Sequence, residues 1–429
     1  MKFLKIRPSK LSGEVTAPPS KSYTHRAFVI AALAEGESEI RSPLLGLDTL
    51  ATIDAVRRLG AKVTQDGDIW RVTGTGGNIK PSVREIDAKN SGTTLRLISA
   101  VATLSPNAVR LTGDSSLVKR PMGPLIDALQ SLGAKGKCEG PNGRPPVVVS
   151  GKLAGGEVEI TGAVSSQFIS ALLIAAPYAE QDVEIAITEK LRSRPYVDVT
   201  LELLDAVGAK VKRNKDLTSF KIPSGQTFKP LDMTIPGDFS SASFVLGGAA
   251  LTGSRVSVKN LDVRRAQGDK RILEFLKEFG AEVTAGKNRV EVLGTGELSG
   301  VDMDCGDNPD LVPVLAVLGA VADGVTSIGN VPHLRAKESD RLSVISVGLR
   351  KMGANVQELP DGLKLRGVRE LHGAKLQSHD DHRMAMAFAM AGLVARGETT
   401  VDGAESIPVS YPNFVEDLTK LGAKIELVM

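Results

Sequence analysis

The sequence predicts an α/β protein of two domains, an inside-out barrel architecture of six repeats whose parallel helices are buried and whose sheets lie outside. Three observations carry this. A helix-like segment, then Gly-Ala, then a strand-like segment recurs at Gly60, Gly133, Gly208, Gly280, Gly353 and Gly422, and subtracting successive numbers gives intervals of 73, 75, 72, 73 and 69 residues. A second helical segment, apolar nearly all round, accompanies each copy, and a helix without a polar face belongs in a core. The length of 429 residues exceeds one ordinary core, so three repeats per domain is the natural division.

The elements follow in order. PSKSYTHRAFVIAALA supplies the first inner helix, and the segment ending in LGAKVT its outer partner. NSGTTLRLISAVATL is the second inner helix, while Leu125, Leu129 and Leu132 form the apolar stripe of the second outer one. SSQFISALLIAAPYA is the third. GDFSSASFVLGGAAL, NPDLVPVLAVLGAVA and DDHRMAMAFAMAGLVA are the fourth to sixth. Pro121, Pro195 and Pro412 are expected in the first turns of outer helices. Each repeat glycine is expected just past a helix end in the left-handed conformation, which glycine adopts without Cβ strain. A β-rich run follows, such as Arg289 to Leu293. The last repeat has few residues left over, so a strand around Phe3 to Val15 is expected to complete the C-terminal domain. Residues 1–17 with 236–429 then form one domain holding both termini, and 18–235 the other, with hinge crossings near 18 and 236.

Composition narrows the function. Lys+Arg at 53 against Asp+Glu at 50 gives +3, and aromatic residues make up 4%, which argues against nucleic acid as a partner. Cys138 and Cys305 stand far apart and form no CxxC pair. The first ten residues hold no apolar run of signal-peptide length, and no later run reaches the roughly 18 to 20 residues that span a bilayer. A cytoplasmic chain with no membrane partner is expected. GxGxxG, GxxxxGK[ST] and nucleophile-elbow patterns are absent. His379 and His382 lack the companion ligands of a metal site, so no metal is expected.

Charge gathers instead where the inner helices begin. His379, Asp380, Asp381, His382 and Arg383 stand directly before an apolar run. A buried helix start leaves N–H groups unpaired and carries partial positive charge, so Asp380 or Asp381 suits the cap. Capping alone does not account for the rest. Lys21, Ser22 and Arg26 stand at the first start, Asn90, Ser91, Thr93 and Arg96 at the second, and Ser165, Ser166 and Gln167 at the third. Asp238 and Ser240 open the fourth and Asp310 the fifth. Arg120, Arg194 and the stretch RAKESDR, with Arg335, Lys337, Glu338 and Arg341, stand near outer-helix starts. Parallel helices would gather these ends on one face per domain, and two such faces would make a cleft suited to phosphates and carboxylates.

These motifs resemble the 5-enolpyruvylshikimate-3-phosphate synthase family across essentially the whole chain. PPSKSYTHRA is similar to its PxSKSxxxRA segment, NSGTTLR to its NxGTxxR loop and KRPMGPLIDAL to its ERPM-type helix start; VSSQF, RPYVDVT, GDFSSASF, KESDRL and DDHRMAM follow in order. The resemblance implies two domains of three βαβαββ units. It also implies transfer of the enolpyruvyl group of phosphoenolpyruvate to the 5-hydroxyl of shikimate 3-phosphate, with loss of phosphate, by a monomer needing no cofactor.

Matched residue by residue, it implies that Lys21, Ser22, Arg26, Ser165, Ser166, Gln167, Ser193, Tyr196, Asp310 and Lys337 hold shikimate 3-phosphate. Lys21, Gly92, Arg120, Gln167, Arg341 and Arg383 hold phosphoenolpyruvate, with Asn90, Thr93, Arg96 and His382 in support. Asp310 is the implied base, Glu338 the proton donor to the methylene carbon, and Lys21 a third catalytic group. The chain departs from the family at Val409, where a lysine is common, at His333, where asparagine is, and at Leu97, where proline is. The related UDP-N-acetylglucosamine enolpyruvyl transferases usually carry a cysteine before the R-P helix, and LTGDSSLVKRPMG has none.

Overall fold

Residues 2–429 are described by a computed structural model. Twelve α-helices occur among them: α1 (Lys21–Leu33), α2 (Leu47–Arg58), α3 (Gly92–Ala102), α4 (Gly123–Ser131), α5 (Ser166–Ala175), α6 (Pro195–Ala206), α7 (Phe239–Leu251), α8 (Ile272–Glu278), α9 (Val312–Val321), α10 (Arg341–Lys351), α11 (His382–Gly392) and α12 (Phe414–Lys420). The odd-numbered helices are the inner ones. All eleven residues of α11 and nine of the ten of α9 are buried. Burial of each large apolar side chain there stabilises the fold by about 1.5 to 3 kcal/mol.

The even-numbered helices keep a polar face and end alike. In α2 the N–H of Gly60 donates to the Arg57 carbonyl and that of Ala61 to Val56, the paired bonds of a Schellman motif. The same two bonds close α4, α6, α8, α10 and α12 at Gly133, Gly208, Gly280, Gly353 and Gly422. All six glycines have φ between +81° and +111°. The recurrent Gly-Ala is thus a helix stop whose alanine turns back into the core: Ala61, Ala134, Ala209, Ala281, Ala354 and Ala423 are all buried.

Proline placement departs from expectation at two of three sites. Pro195 is the first residue of α6, but Pro121 lies two residues before α4, whose first turn holds Pro124, and Pro412 precedes Asn413, the N-cap of α12. A ring that lacks an N–H suits the approach to a helix as well as its first turn.

Among the described residues, six four-stranded sheets cover the inner helices in one repeated scheme. In each, one edge strand runs parallel to its neighbour and an antiparallel pair completes the sheet, a hairpin in five of the six. Asp302–Asp304 runs parallel to Val325–Gly329, which pairs antiparallel with Gly362–Arg366, itself antiparallel to Asn355–Leu359. Three strands come from far along the chain. Asp232–Thr234 joins Glu37–Arg41, Ser12–Thr16 joins Arg255–Lys259, and Phe3–Arg7 lies between Thr399–Asp402 and Lys424–Val428. The N-terminal stretch therefore forms two strands in two sheets, with Pro8 just beyond the end of the first.

The chain divides into two compact units. One comprises Pro19–Ile235 and the other the segment through Pro18 with Pro236–Met429. No helix among the described residues is long and apolar enough to cross a membrane.

Candidate active site

In the unit Pro19–Ile235, three helix starts assemble polar groups. Lys21 opens α1 and its Nζ lies 3.1 Å from Asp48 in the first turn of α2. Ser91 caps α3 by accepting from the Thr94 N–H, and Ser165 caps α5 by accepting from that of Gln167. Arg96 then ties two starts together: its Nη1 donates to Gln167 Oε1 at 2.6 Å and to Ser165 Oγ at 3.3 Å, while Gln167 Nε2 donates to Thr93 Oγ1 at 2.9 Å.

Arg120 reaches the same place from the turn before α4. Its Nη2 donates to Asn90 Oδ1 at 2.7 Å, and Asn90 donates onward to Asp114. Gly92 is what lets the guanidinium come so near, since a Cβ there would lie 3.1 Å from Arg120 Nη1. Arg96, Gln167, Ser165 and Thr93 thus form one hydrogen-bonded group, and Arg120 with Asn90 another.

Arg26 is turned further inward than a surface ligand. It is 1% exposed, and it donates to Thr200 Oγ1, the Ser22 carbonyl and Ser170 Oγ, using three of a guanidinium's five N–H groups. Burial pushes its pKa down to about 10, against the opposing influence of Tyr196 and Tyr23, so it stays charged at neutral pH. Ser193 holds φ +53°, an uncommon conformation for a non-glycine residue, and its carbonyl accepts from the Tyr196 N–H at the start of α6. Ser166 is buried in the first turn of α5.

The second unit gathers acids around one arginine. Arg341 opens α10 with its side chain 2% exposed, and its fork meets three carboxylates from three parts of the chain. Nη1 lies 2.9 Å from Asp310, Nη2 2.7 Å from Glu338 and Nε 2.8 Å from Asp381. Asp381 also caps α11 by accepting from the Arg383 N–H, while Asp380 is exposed at φ +56°. Arg383 closes the cluster, its Nη2 3.1 Å from Asp310.

Burial alone would raise the Asp310 carboxyl, yet the charges of Arg383, Lys337 and Arg341 outweigh it and hold the group well below the usual carboxylate range. Arg341 is itself held above its ordinary range, because Asp381, Glu338 and Asp310 more than offset its desolvation. Lys337 follows the 3-10 turn Pro332–Ala336 that carries His333, and His382 is buried as the first residue of α11.

A family model described as EPSP synthase (3-phosphoshikimate 1-carboxyvinyltransferase) matches residues 6–418. The chain belongs to the EPSP synthase family. A 3-phosphoshikimate 1-carboxyvinyltransferase of Methanocella arvoryzae is 49% identical over 427 residues, 99% of each chain, and one of Methanocaldococcus jannaschii is 45% identical over 425 residues, 98% of each. The EPSP synthase structure from Acinetobacter baumannii superposes with a TM-score of 0.84 at 30% identity, covering both chains in full. The activity is that of a 3-phosphoshikimate 1-carboxyvinyltransferase, a transferase of the shikimate pathway to aromatic amino acids, and phosphoenolpyruvate and shikimate 3-phosphate are the substrates that the EPSP synthase family implies.

Set beside the EPSP synthase pattern, the three departures have different surroundings. Leu97 lies within α3 and is fully buried. Val409 ends a 3-10 segment, Ala404–Val409, and is half-buried. His333 sits in the turn before Lys337. Sequence reasoning missed two acids. Asp48 pairs with Lys21, and Asp269 is a buried carboxyl that accepts from Ser240 Oγ and, at 3.4 Å, from Asn308 Nδ2. A QGDKR stretch gives no local sign of burial; only the fold carries it to the start of α7.

Proposed function

We propose that Asp310 and Glu338 perform the proton transfers of the enolpyruvyl transfer and that Arg341 governs both. The observation that carries this is the shared guanidinium: one buried fork contacts both acids, and Arg383 contacts Asp310 as well. An anion arriving at Arg341 and Arg383 competes with Asp310 and Glu338 for the same N–H groups. As they are released, their affinity for protons rises. Phosphoenolpyruvate binding thereby frees two arginine-held carboxylates to accept and donate protons.

Protonated Glu338 then delivers its proton to the methylene carbon of phosphoenolpyruvate, and positive charge develops on the adjacent carbon. Asp310 takes the proton of the 5-hydroxyl as that oxygen attacks, giving a tetrahedral intermediate. Loss of a proton from the new methyl group to Glu338, with departure of phosphate, restores the double bond. Lys21, Gly92, Arg120, Gln167, Arg341 and Arg383 bind phosphoenolpyruvate and stabilise the departing phosphate. Ser22, Arg26, Ser165, Ser166, Gln167, Ser193, Tyr196 and Lys337 hold shikimate 3-phosphate.

Release of phosphate from phosphoenolpyruvate with shikimate 3-phosphate tests the assignment. Glu338→Gln and Asp310→Asn are each expected to lower kcat by about 10²-fold or more. Full turnover by Glu338→Ala overturns it.

A further inference from the structure

A buried chain of hydroxyls runs behind the helix starts of the unit Pro19–Ile235. His25, on α1 and 1% exposed, places Nδ1 2.6 Å from Thr52 Oγ1 on α2. Thr52 Oγ1 lies 2.6 Å from Thr94 Oγ1 on α3. Thr94 Oγ1 lies 2.7 Å from Ser91 Oγ, the cap of α3, and 3.2 Å from the Asp48 carbonyl. Asp48 takes the Lys21 ammonium through its side chain, and Lys21 sits one turn before His25 on α1. The path therefore closes into a ring through three helices.

Each hydroxyl has one hydrogen, so the ring has only two possible directions. If His25 carries its proton on Nδ1, donation runs from His25 to Thr52, to Thr94, and the single Thr94 hydroxyl hydrogen goes on to the Asp48 carbonyl, while Ser91 Oγ accepts from the Thr94 N–H. Every acceptor is then served, and only a bare lone pair on Nε2 remains buried without a partner. With the proton on Nε2 the direction reverses. An N–H is then buried without an acceptor, and Thr94 has no hydrogen left for the Asp48 carbonyl. An orphaned buried donor costs more than an orphaned lone pair.

We propose that His25 is a positioning residue whose Nδ1–H sets the direction of this ring and so locks the start of α3, with Gly92, to the helix that carries Lys21. The proposal rests on the reading that Lys21 and Gly92 hold phosphoenolpyruvate. Burial, with the nearby charges of Lys21 and Arg26, keeps the imidazole pKa well below its ordinary value, so the ring stays neutral and its direction fixed.

Two measurements on the full chain test this. Long-range 1H–15N spectra should show His25 protonated at Nδ1 and bare at Nε2, unchanged from about pH 6 to about pH 8. An Nε2–H tautomer, or titration in that range, overturns the proposal. This readout needs no turnover. Failure of the underlying site reading would appear separately, as Lys21→Gln leaving the KM for phosphoenolpyruvate unchanged.

In kinetics, His25→Leu and Thr94→Val should raise that KM by about tenfold, with kcat changed by no more than about threefold. His25→Asn, whose amide N–H can occupy the place of Nδ1–H, should restore KM to near the original value. His25→Asn as impaired as His25→Leu overturns the idea. Should His25→Leu fail to fold, Thr94→Val against Thr94→Ser decides the same question, since only serine keeps the hydroxyl; equal KM values for the two overturn it.

Discussion

A carboxyl buried near another carboxyl resists ionisation, and Asp269 is such a group. Burial, then the charge of Asp310, raise it to about 6, although the Ser240 hydroxyl donates to it. Because the folded state binds this proton more tightly than the unfolded chain, stability falls as pH rises from about 4 to about 6, and the cost is fully present at neutral pH. Asp269→Asn keeps the acceptor for Ser240 without the charge. It is therefore expected to raise Tm at pH 7, with the advantage closing as pH falls toward 4; an advantage that instead widened with acid would contradict this. Asp310 has the opposite sign. Its depressed carboxyl adds stability above the ordinary carboxylate range that is lost only in strong acid. The contrast shows what a sequence exposes at this scale. KESDR and DDHRM announce themselves by packing charge against apolar runs. Asp269 and Asp48 do not, because their significance lies in neighbours 27 to 41 residues away: Lys21 for Asp48, and Ser240, Asn308 and Asp310 for Asp269.

Six repeat glycines were legible because a left-handed helix stop leaves a local signature, Gly-Ala after an amphipathic run. Their environments were not legible, and they differ. A Cβ at Gly133 would lie 2.6 Å from the Cβ of Ala154, whereas at Gly208 the nearest atoms are Cδ and Cε of Lys229 at 3.7 Å, the far end of a flexible side chain. Both have positive φ, +89° and +81°. Gly208→Ala should therefore cost about 1 to 2 kcal/mol from backbone strain alone, and Gly133→Ala about 1 to 3 kcal/mol more from overpacking. Both lie in the unit Pro19–Ile235, so urea denaturation compares them in one transition; equal losses would show that Ala154 moves aside freely. Strand order was hidden for a related reason. That an N-terminal strand completes the C-terminal unit was legible from the short last repeat, but which strands Phe3–Arg7 pairs with was not, because the sequence pattern of a strand does not name its neighbour. Pro121 and Pro412 misled because proline suits the residues before a helix as well as its first turn.

At the scale of the molecule, every strand of three sheets lies within Pro19–Ile235, including Asp232–Thr234, which returns to the first of them. That unit needs no hydrogen-bonded strand from elsewhere. Expressed alone, residues 19–235 should unfold in one cooperative transition by circular dichroism. They should also bind shikimate 3-phosphate in calorimetry, since Ser22, Arg26, Ser165, Ser166, Gln167, Ser193 and Tyr196 are all present. They should release no phosphate from phosphoenolpyruvate, because Asp310, Glu338, Arg341 and Arg383 are not. The other unit is assembled from two pieces of chain, yet the Asp238 N–H donates to the Pro18 carbonyl at 2.8 Å. A short glycine linker between Pro18 and Pro236 should suffice to make it one continuous fragment. An unfolded 19–235 fragment, or a folded one giving no heat with shikimate 3-phosphate, would mean that the three-repeat unit depends on the rest of the chain in a way its closed sheets do not reveal.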